Sequence, residues 1–159
     1  IADGVMIKID AKQFEQDLKR KALEQLHELT DSAPVFQSAY DELIKAVEFL
    51  EKDNYAEAIT NAGKSYESVM KIICGADRGN ADALTQKILS DGHITLPTAM
   101  NGNGFREKVL MSLPFIRNNS AAHGAGMNSE GLTRSLANLA VNLAAALDTY
   151  LIEEYSEKN

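Results

Sequence analysis

The sequence predicts an all-α domain, and three observations carry that prediction. Apolar residues recur at three- and four-residue spacing over most of the 159 residues, the period of a helix with one buried face. Helix-start and helix-stop residues fall between these runs, chiefly Asp10, Pro34, Asn80 and Gly75. The long turn-rich stretches that would separate strands occur only once, between Ser90 and Gly104. Length suits one domain with one core. A hydrophobic share of 45% and a charged share of 25% are ordinary for a soluble globular chain.

Val5, Ile7 and Ile9 alternate with Met6 and Lys8, which predicts a short strand or extended arm. Asp10 caps the next segment. From Ala11 to Leu29, Phe14, Leu18, Ala22, Leu26 and Leu29 form one apolar helix face. Ser32 with Pro34 restarts a helix whose inward residues are Ala39, Leu43, Ala46, Val47 and Leu50. Asp53-Asn54 breaks it. A third helix follows to about Cys74, with Ala58, Ile59, Ala62, Tyr66, Val69, Met70 and Ile73 inward and Gly75 as its left-handed stop. Asn80 caps a short fourth helix carrying Leu84, Ile88 and Leu89. Asp91-Gly92, Pro97, Asn101-Gly102 and Asn103-Gly104 mark a loop. A fifth helix runs from about Phe105 toward Ala122, with Pro114 kinking it or marking a restart. Ser129 is the expected cap of a long last helix. Its core stripe is Leu132, Leu136, Leu139, Ala140, Leu143, Leu147, Tyr150 and Leu151. The alanines of that helix permit close approach, so part of it is a candidate dimer interface. The sum is a bundle of four principal helices with shorter additions, divided as 1–34 (arm and leading helix, or a linker to an upstream region) and 35–159.

Charge narrows the function classes. The net charge is −7, which excludes a wholly electrostatic nucleic-acid binder. Between Gly104 and Arg134, however, four basic residues (Arg106, Lys108, Arg117, Arg134) face two acidic ones (Glu107, Glu130), about +2 in that segment. The sequence shows no secretory signal and no run expected to cross a bilayer. It begins at Ile1 rather than Met, as expected of a processed product or a C-terminal piece. Cys74 is the single cysteine, so no internal disulfide can form; a reducing cytoplasm is the expected location.

Several motifs carry little. Gly63-Lys64-Ser65 ends like a phosphate-binding loop, but Ala58 stands where the motif needs Gly, and the stretch lies inside a helical pattern. Asn118-Asn119-Ser120 matches a glycosylation acceptor without a sign of secretion. His27, His93 and Cys74 lack metal-ligand spacing, so no metal or cofactor is expected.

The stretch Ile116-Arg117-Asn118-Asn119-Ser120-Ala121-Ala122-His123-Gly124 is the candidate site. Arg117 can grip a phosphate through two parallel hydrogen bonds, His123 can move a proton near pH 7, and Asn118 adds an uncharged donor and acceptor. On an unbroken helix Arg117 and His123 would stand about 240° apart. Asn118, Asn119 and Ser120 bond readily to nearby backbone, so a loosened turn is expected between them. Each residue also has a plainer account: Arg117 a surface ion pair, His123 a helix-terminal side chain on a free carbonyl, Glu67 and Lys71 a pair four apart on a helix surface.

Arg-Asn, a spacer and His-Gly resemble the motif of the HEPN superfamily; Arg117 and His123 are separated by five residues. The run Ala58 to Ile73, with its Ala, Glu67-Ser68 and Lys71 positions, is similar to the helix of the abortive-infection C-terminal branch. The Ala-, Leu- and Asn-rich last helix fits as well, and the resemblance spans about Val35 to Glu154. It implies a four-helix bundle that dimerises, bringing two Arg/His pairs to a shared cleft. It implies metal-independent endoribonuclease activity on RNA (tRNA or mRNA) in phage defence or a toxin system, with an antitoxin or upstream sensor as further partner. By that resemblance His123 is the acid/base, Arg117 the phosphate clamp and Asn118 an orienting residue, with Glu67, Lys71 and Ser120 in support. A non-catalytic module of the same fold, binding a nucleotide or protein, stays open beside it, as does a regulatory tail of a longer enzyme.

Overall fold

Small side chains on the third helix let its neighbours pack close on every side, and the fold is built around it. The computed structural model describes residues 11–120 and 131–159. The expected arm at Val5, Ile7 and Ile9, the cap Asp10, and the side chains of Phe14 and Leu18 fall outside what is described. In chain order the helices are α1 (Ala11–Ser32), α2 (Gln37–Glu51), α3 (Tyr55–Cys74), α4 (Ala81–Ser90), α5 (Gly102–Phe105), α6 (Ser112–Ser120) and α7 (Arg134–Lys158). A 3-10 turn, Pro34–Phe36, leads into α2, and a π turn, Arg106–Leu110, joins α5 to α6. No strand occurs among the described residues.

Most ends are set by the residues the sequence marked. Gly75 adopts φ 58°, a left-handed backbone that glycine takes without Cβ strain. The amide of Ala76 then reaches back to the Lys71 carbonyl at 2.9 Å. The Asn80 side chain accepts from the Ala83 amide at 2.9 Å, and Asn54 caps α3 from the break at Asp53-Asn54. The last helix differs from expectation. It begins at Arg134, capped by Thr133, whose hydroxyl accepts from the Leu136 amide at 3.2 Å. The expected cap, Ser129, lies outside the described residues; Gly131, at φ 92°, precedes the helix.

Leu43, Leu50, Ile59, Met70, Leu84, Leu110, Leu113 and Leu151 form the buried interior with Phe36 and Tyr66. Here the predicted α7 stripe needs correction. The buried face of α7 is Ala137, Ala140, Val141, Ala144, Ala145, Leu147, Asp148, Leu151 and Ile152. Leu139 is 48% exposed, Leu143 is half-buried, and Leu132 precedes the helix. Small residues face α3 because two helices can approach closely only where side chains are short. The expectation that no run could cross a bilayer also needs correction. By length and mean hydropathy (1.3 over its most apolar window) α7 passes that test, although half of that window is buried, as in a core helix.

Two polar groups sit at the centre. Ser65 Oγ of α3 lies 2.7 Å from the Ala39 carbonyl and 2.7 Å from Asp148 Oδ2 of α7. A hydroxyl has one proton and a carbonyl only accepts. The second bond therefore takes its proton from the Asp148 carboxyl, which must be neutral. Burial pushes that carboxyl up to about 8; the bond Ser65 could donate to the charged form works against the rise, and the Glu42 charge adds to it. The neutral form also tolerates the lack of a partner at buried Asp148 Oδ1.

Because the folded-state value lies above that of the unfolded chain, the protonated carboxyl contributes stability that is full below about pH 4 and lost as pH rises through about 8. Asp148→Asn, which carries no titrating proton, should remove this dependence. Chemical denaturation from pH 5 to 9 should show the variant gaining on the wild type by up to about 1.4 kcal/mol per pH unit across the window. Parallel curves for the two proteins would refute a neutral Asp148.

Candidate active site on α3 and α6

The site is built where α6 crosses α3. Leu110 ends the π turn, and its carbonyl accepts from the buried Tyr66 hydroxyl at 3.1 Å. Burial raises the Tyr66 phenol far above its usual range, so it remains a donor. The residue four on from Leu110 is Pro114, which has no amide hydrogen to donate, so the Leu110 carbonyl is left for that side-chain partner. Arg106 at the start of the turn pairs with Asp82 of α4 at 2.7 Å. Pro114 lies in the first turn of α6, which restarts at Ser112 after Met111, in line with the restart read from the sequence.

With its start held by α3 and α4, α6 delivers Arg117 back onto α3. Arg117 Nη1 donates to Glu67 Oε2 at 3.2 Å, and Lys71 Nζ lies 2.6 Å from Glu67 Oε1. The three side chains are only 24–32% exposed. Gly63 makes this possible. A Cβ added there would overlap Arg117 Cδ and stand 3.1 Å from Nε. Mid-helix glycine costs about 1 kcal/mol relative to alanine, and here it opens the space the arginine stem fills. One carboxylate between two cations leaves the cluster at +1. A guanidinium has five N–H donors, so donors remain for an anion after the Glu67 bond.

Of the expected site residues, the structure brings Arg117, Glu67 and Lys71 together. Asn118 is exposed and lines a different surface, a hollow it shares with Asn119, Leu139 and Leu143. Ser120 is half-buried at the last position of α6. The expected loosening does not begin within the described part: α6 stays helical through Ser120, with Asn119 Nδ2 donating to the Phe115 carbonyl at 2.8 Å. His123 lies three residues further on, outside the described residues.

The sequence model of the Abi_C family, a HEPN-like domain, matches residues 37–155. The chain belongs to that family. The match covers α2 to α7, including Arg117, His123 and the α3 seat, and leaves out α1. No curated protein and no solved structure matches the chain.

Sequence reasoning did not single out Gly63 or Tyr66 for the candidate site. Gly63 was visible as a glycine within an apolar helix, but it was weighed as part of a phosphate loop and of the Ala58–Ile73 run, with no role of its own.

The seat can be tested by its coupling. Gly63→Ala should destabilise the wild type, because Arg117 must leave its place over α3. In an Arg117→Ala background the same change should be neutral or stabilising, by up to about 1 kcal/mol. Urea denaturation of the four proteins measures the cycle; equal effects of Gly63→Ala in both backgrounds would show that the two residues do not meet.

Proposed function

We propose that this HEPN-like protein is a metal-independent endoribonuclease of phage defence or a toxin system, acting as a homodimer on tRNA or mRNA. The observation that carries the reading is Arg117, first residue of the Arg-Asn…His-Gly motif, held half-buried against Glu67 beside a second cation, Lys71. A guanidinium fixed this way loses little freedom when it binds a phosphate.

The chemistry follows from the side chains. His123 removes the proton of an RNA 2′-OH. That oxygen attacks the adjacent phosphorus; the O2′–P bond forms and the P–O5′ bond breaks. Arg117 stabilises the negative charge that grows on the non-bridging oxygens, and Lys71 adds a positive charge nearby. A protonated His123 from the second copy supplies the proton to the departing 5′ oxygen. The products are a 2′,3′-cyclic phosphate and a 5′-OH. DNA, with no 2′-OH, is not cleaved.

One observation favours a second reading. Arg117 is already ion-paired within its own chain, and the chain as a whole carries −7. Both suit a non-catalytic module that binds a nucleotide or a protein.

Incubation of a mixed tRNA and mRNA pool with EDTA, followed by analysis of product ends, separates the two. Wild type should yield cyclic-phosphate ends. His123→Ala should lower the rate by about 10²- to 10⁴-fold, and Arg117→Ala by about 10²- to 10³-fold, with the helical fold retained. Absence of cleavage by folded wild type would sink the ribonuclease reading in favour of the module.

A further inference from the structure

The loop between α4 and α5 is tied down at both ends. Near its start, Lys158 Nζ of α7 donates to the Gly92 carbonyl at 2.7 Å, and the Thr95 amide donates to Glu154 Oε2 at 2.8 Å. Near its end, the Met100 amide donates to the Pro97 carbonyl at 2.8 Å, and the Asn101 side chain accepts from the Gly104 amide at 2.9 Å. With the π turn and α7 this loop walls a hollow of about 690 Å³. Leu96, Met100, Phe105, Val109, Leu143 and Leu147 line it, and the Phe105 ring stands edge-on to Tyr150 with ring centres 6.1 Å apart. Concave sites of this size hold small molecules when they are largely apolar, carry a few polar groups and are formed before the ligand arrives. None of Arg117, Glu67 and Lys71 lines the hollow.

Charge selects the occupant. The chain carries −7, so most of its surface repels an anion. This hollow differs. Among its lining residues Lys108 is the one charge, and Lys108 has no ion pair among the described residues. Lys108 is exposed, which puts its ammonium group at the mouth of an apolar recess. That arrangement matches a carboxylate carried on an apolar tail. Each CH2 group the recess takes from water tightens binding by about fourfold. A cationic head on the same tail would meet Lys108 as a like charge.

We propose that the hollow between the α4–α5 loop, the π turn and α7 binds a small anionic amphiphile, a free carboxylate on a medium-length apolar chain. The chain fills the recess and the carboxylate pairs with Lys108. The proposal goes beyond the ribonuclease reading and does not rest on it.

Titration calorimetry of the chain with decanoate tests it. Wild type should show saturable one-to-one binding with a Kd of about 100 µM or tighter. Hexanoate, with four fewer CH2 groups, should bind at least about tenfold more weakly. Decylamine should also bind at least about tenfold more weakly, and Lys108→Glu should reverse that preference. Ala146→Trp, at an exposed position of α7 that lines the hollow, should fill the recess and abolish binding of both. Val35→Glu, an exposed position outside the hollow, should change nothing. Circular dichroism identifies a variant that fails to fold; Met100→Asp then replaces Ala146→Trp. Folded wild type that binds no decanoate up to about 1 mM overturns the proposal and leaves the hollow to an apolar side chain of a partner protein. Equal affinity for decanoate and decylamine overturns it, as does binding indifferent to Lys108→Glu and Ala146→Trp. Flotation with phosphatidylglycerol vesicles separates a free ligand from a membrane: capture by vesicles without decanoate binding also overturns it, in favour of a lipid surface.

Discussion

The hydrogen-bond chain from Asp148 through Ser65 to the Ala39 carbonyl fixes α3 between α2 and α7. It fixes rotation as well as position, because a buried hydroxyl with two partners at 2.7 Å has no other place to point. Once Ser65 is set, the neighbouring positions of α3 are set by the helical period. Tyr66 then reaches the π turn, and Gly63 and Glu67 face α6. Rotation of α3 by part of a turn would put the glycine out of register with Arg117 and close the space its stem occupies. The polar centre of the core and the site at its edge are in this sense one construction.

What was legible in the sequence was local. Gly75, Asn80 and Asn54 act through backbone groups a few residues away, and each stands at the helix end where its chemistry places it. Pro114 marked the restart of α6 for the same reason. The face of α7 was not legible. Ala and Leu alternate along it, so more than one apolar stripe can be drawn at helical spacing. Which one is buried depends on how closely α3 approaches, and close approach selects Ala137, Ala140 and Ala144 over Leu139 and Leu143. The bond that anchors the π turn was hidden too, since Tyr66 stands 44 residues before Leu110, whose carbonyl it meets.

The candidate site was legible in its pieces. Arg117 and His123 stand out by residue type and spacing, and Glu67 and Lys71 by their place in the third helix. What joins Arg117 to Glu67 is a pair 50 residues apart with a glycine beneath it. Gly63-Lys64-Ser65 was set aside as a failed phosphate loop, correctly, yet two of its residues have structural work. Gly63 seats the arginine and Ser65 holds Asp148. Neither role leaves a periodic signal. The hints were a glycine with a helix cost of about 1 kcal/mol and a serine and an aspartate inside otherwise apolar stripes.

The charge on this surface also follows from burial. Arg117 and Lys71 are each about two-thirds covered, where two unpaired cations would repel each other and lose hydration. Glu67 between them removes that difficulty and leaves a single excess positive charge. One such charge on a −7 chain does not make a track for a long polyanion, whose binding gains from every phosphate neutralised. It is enough for the single phosphate of the proposed reaction, and the Glu67 pair fixes where the arginine points. Affinity for the rest of a nucleic acid then has to come from elsewhere.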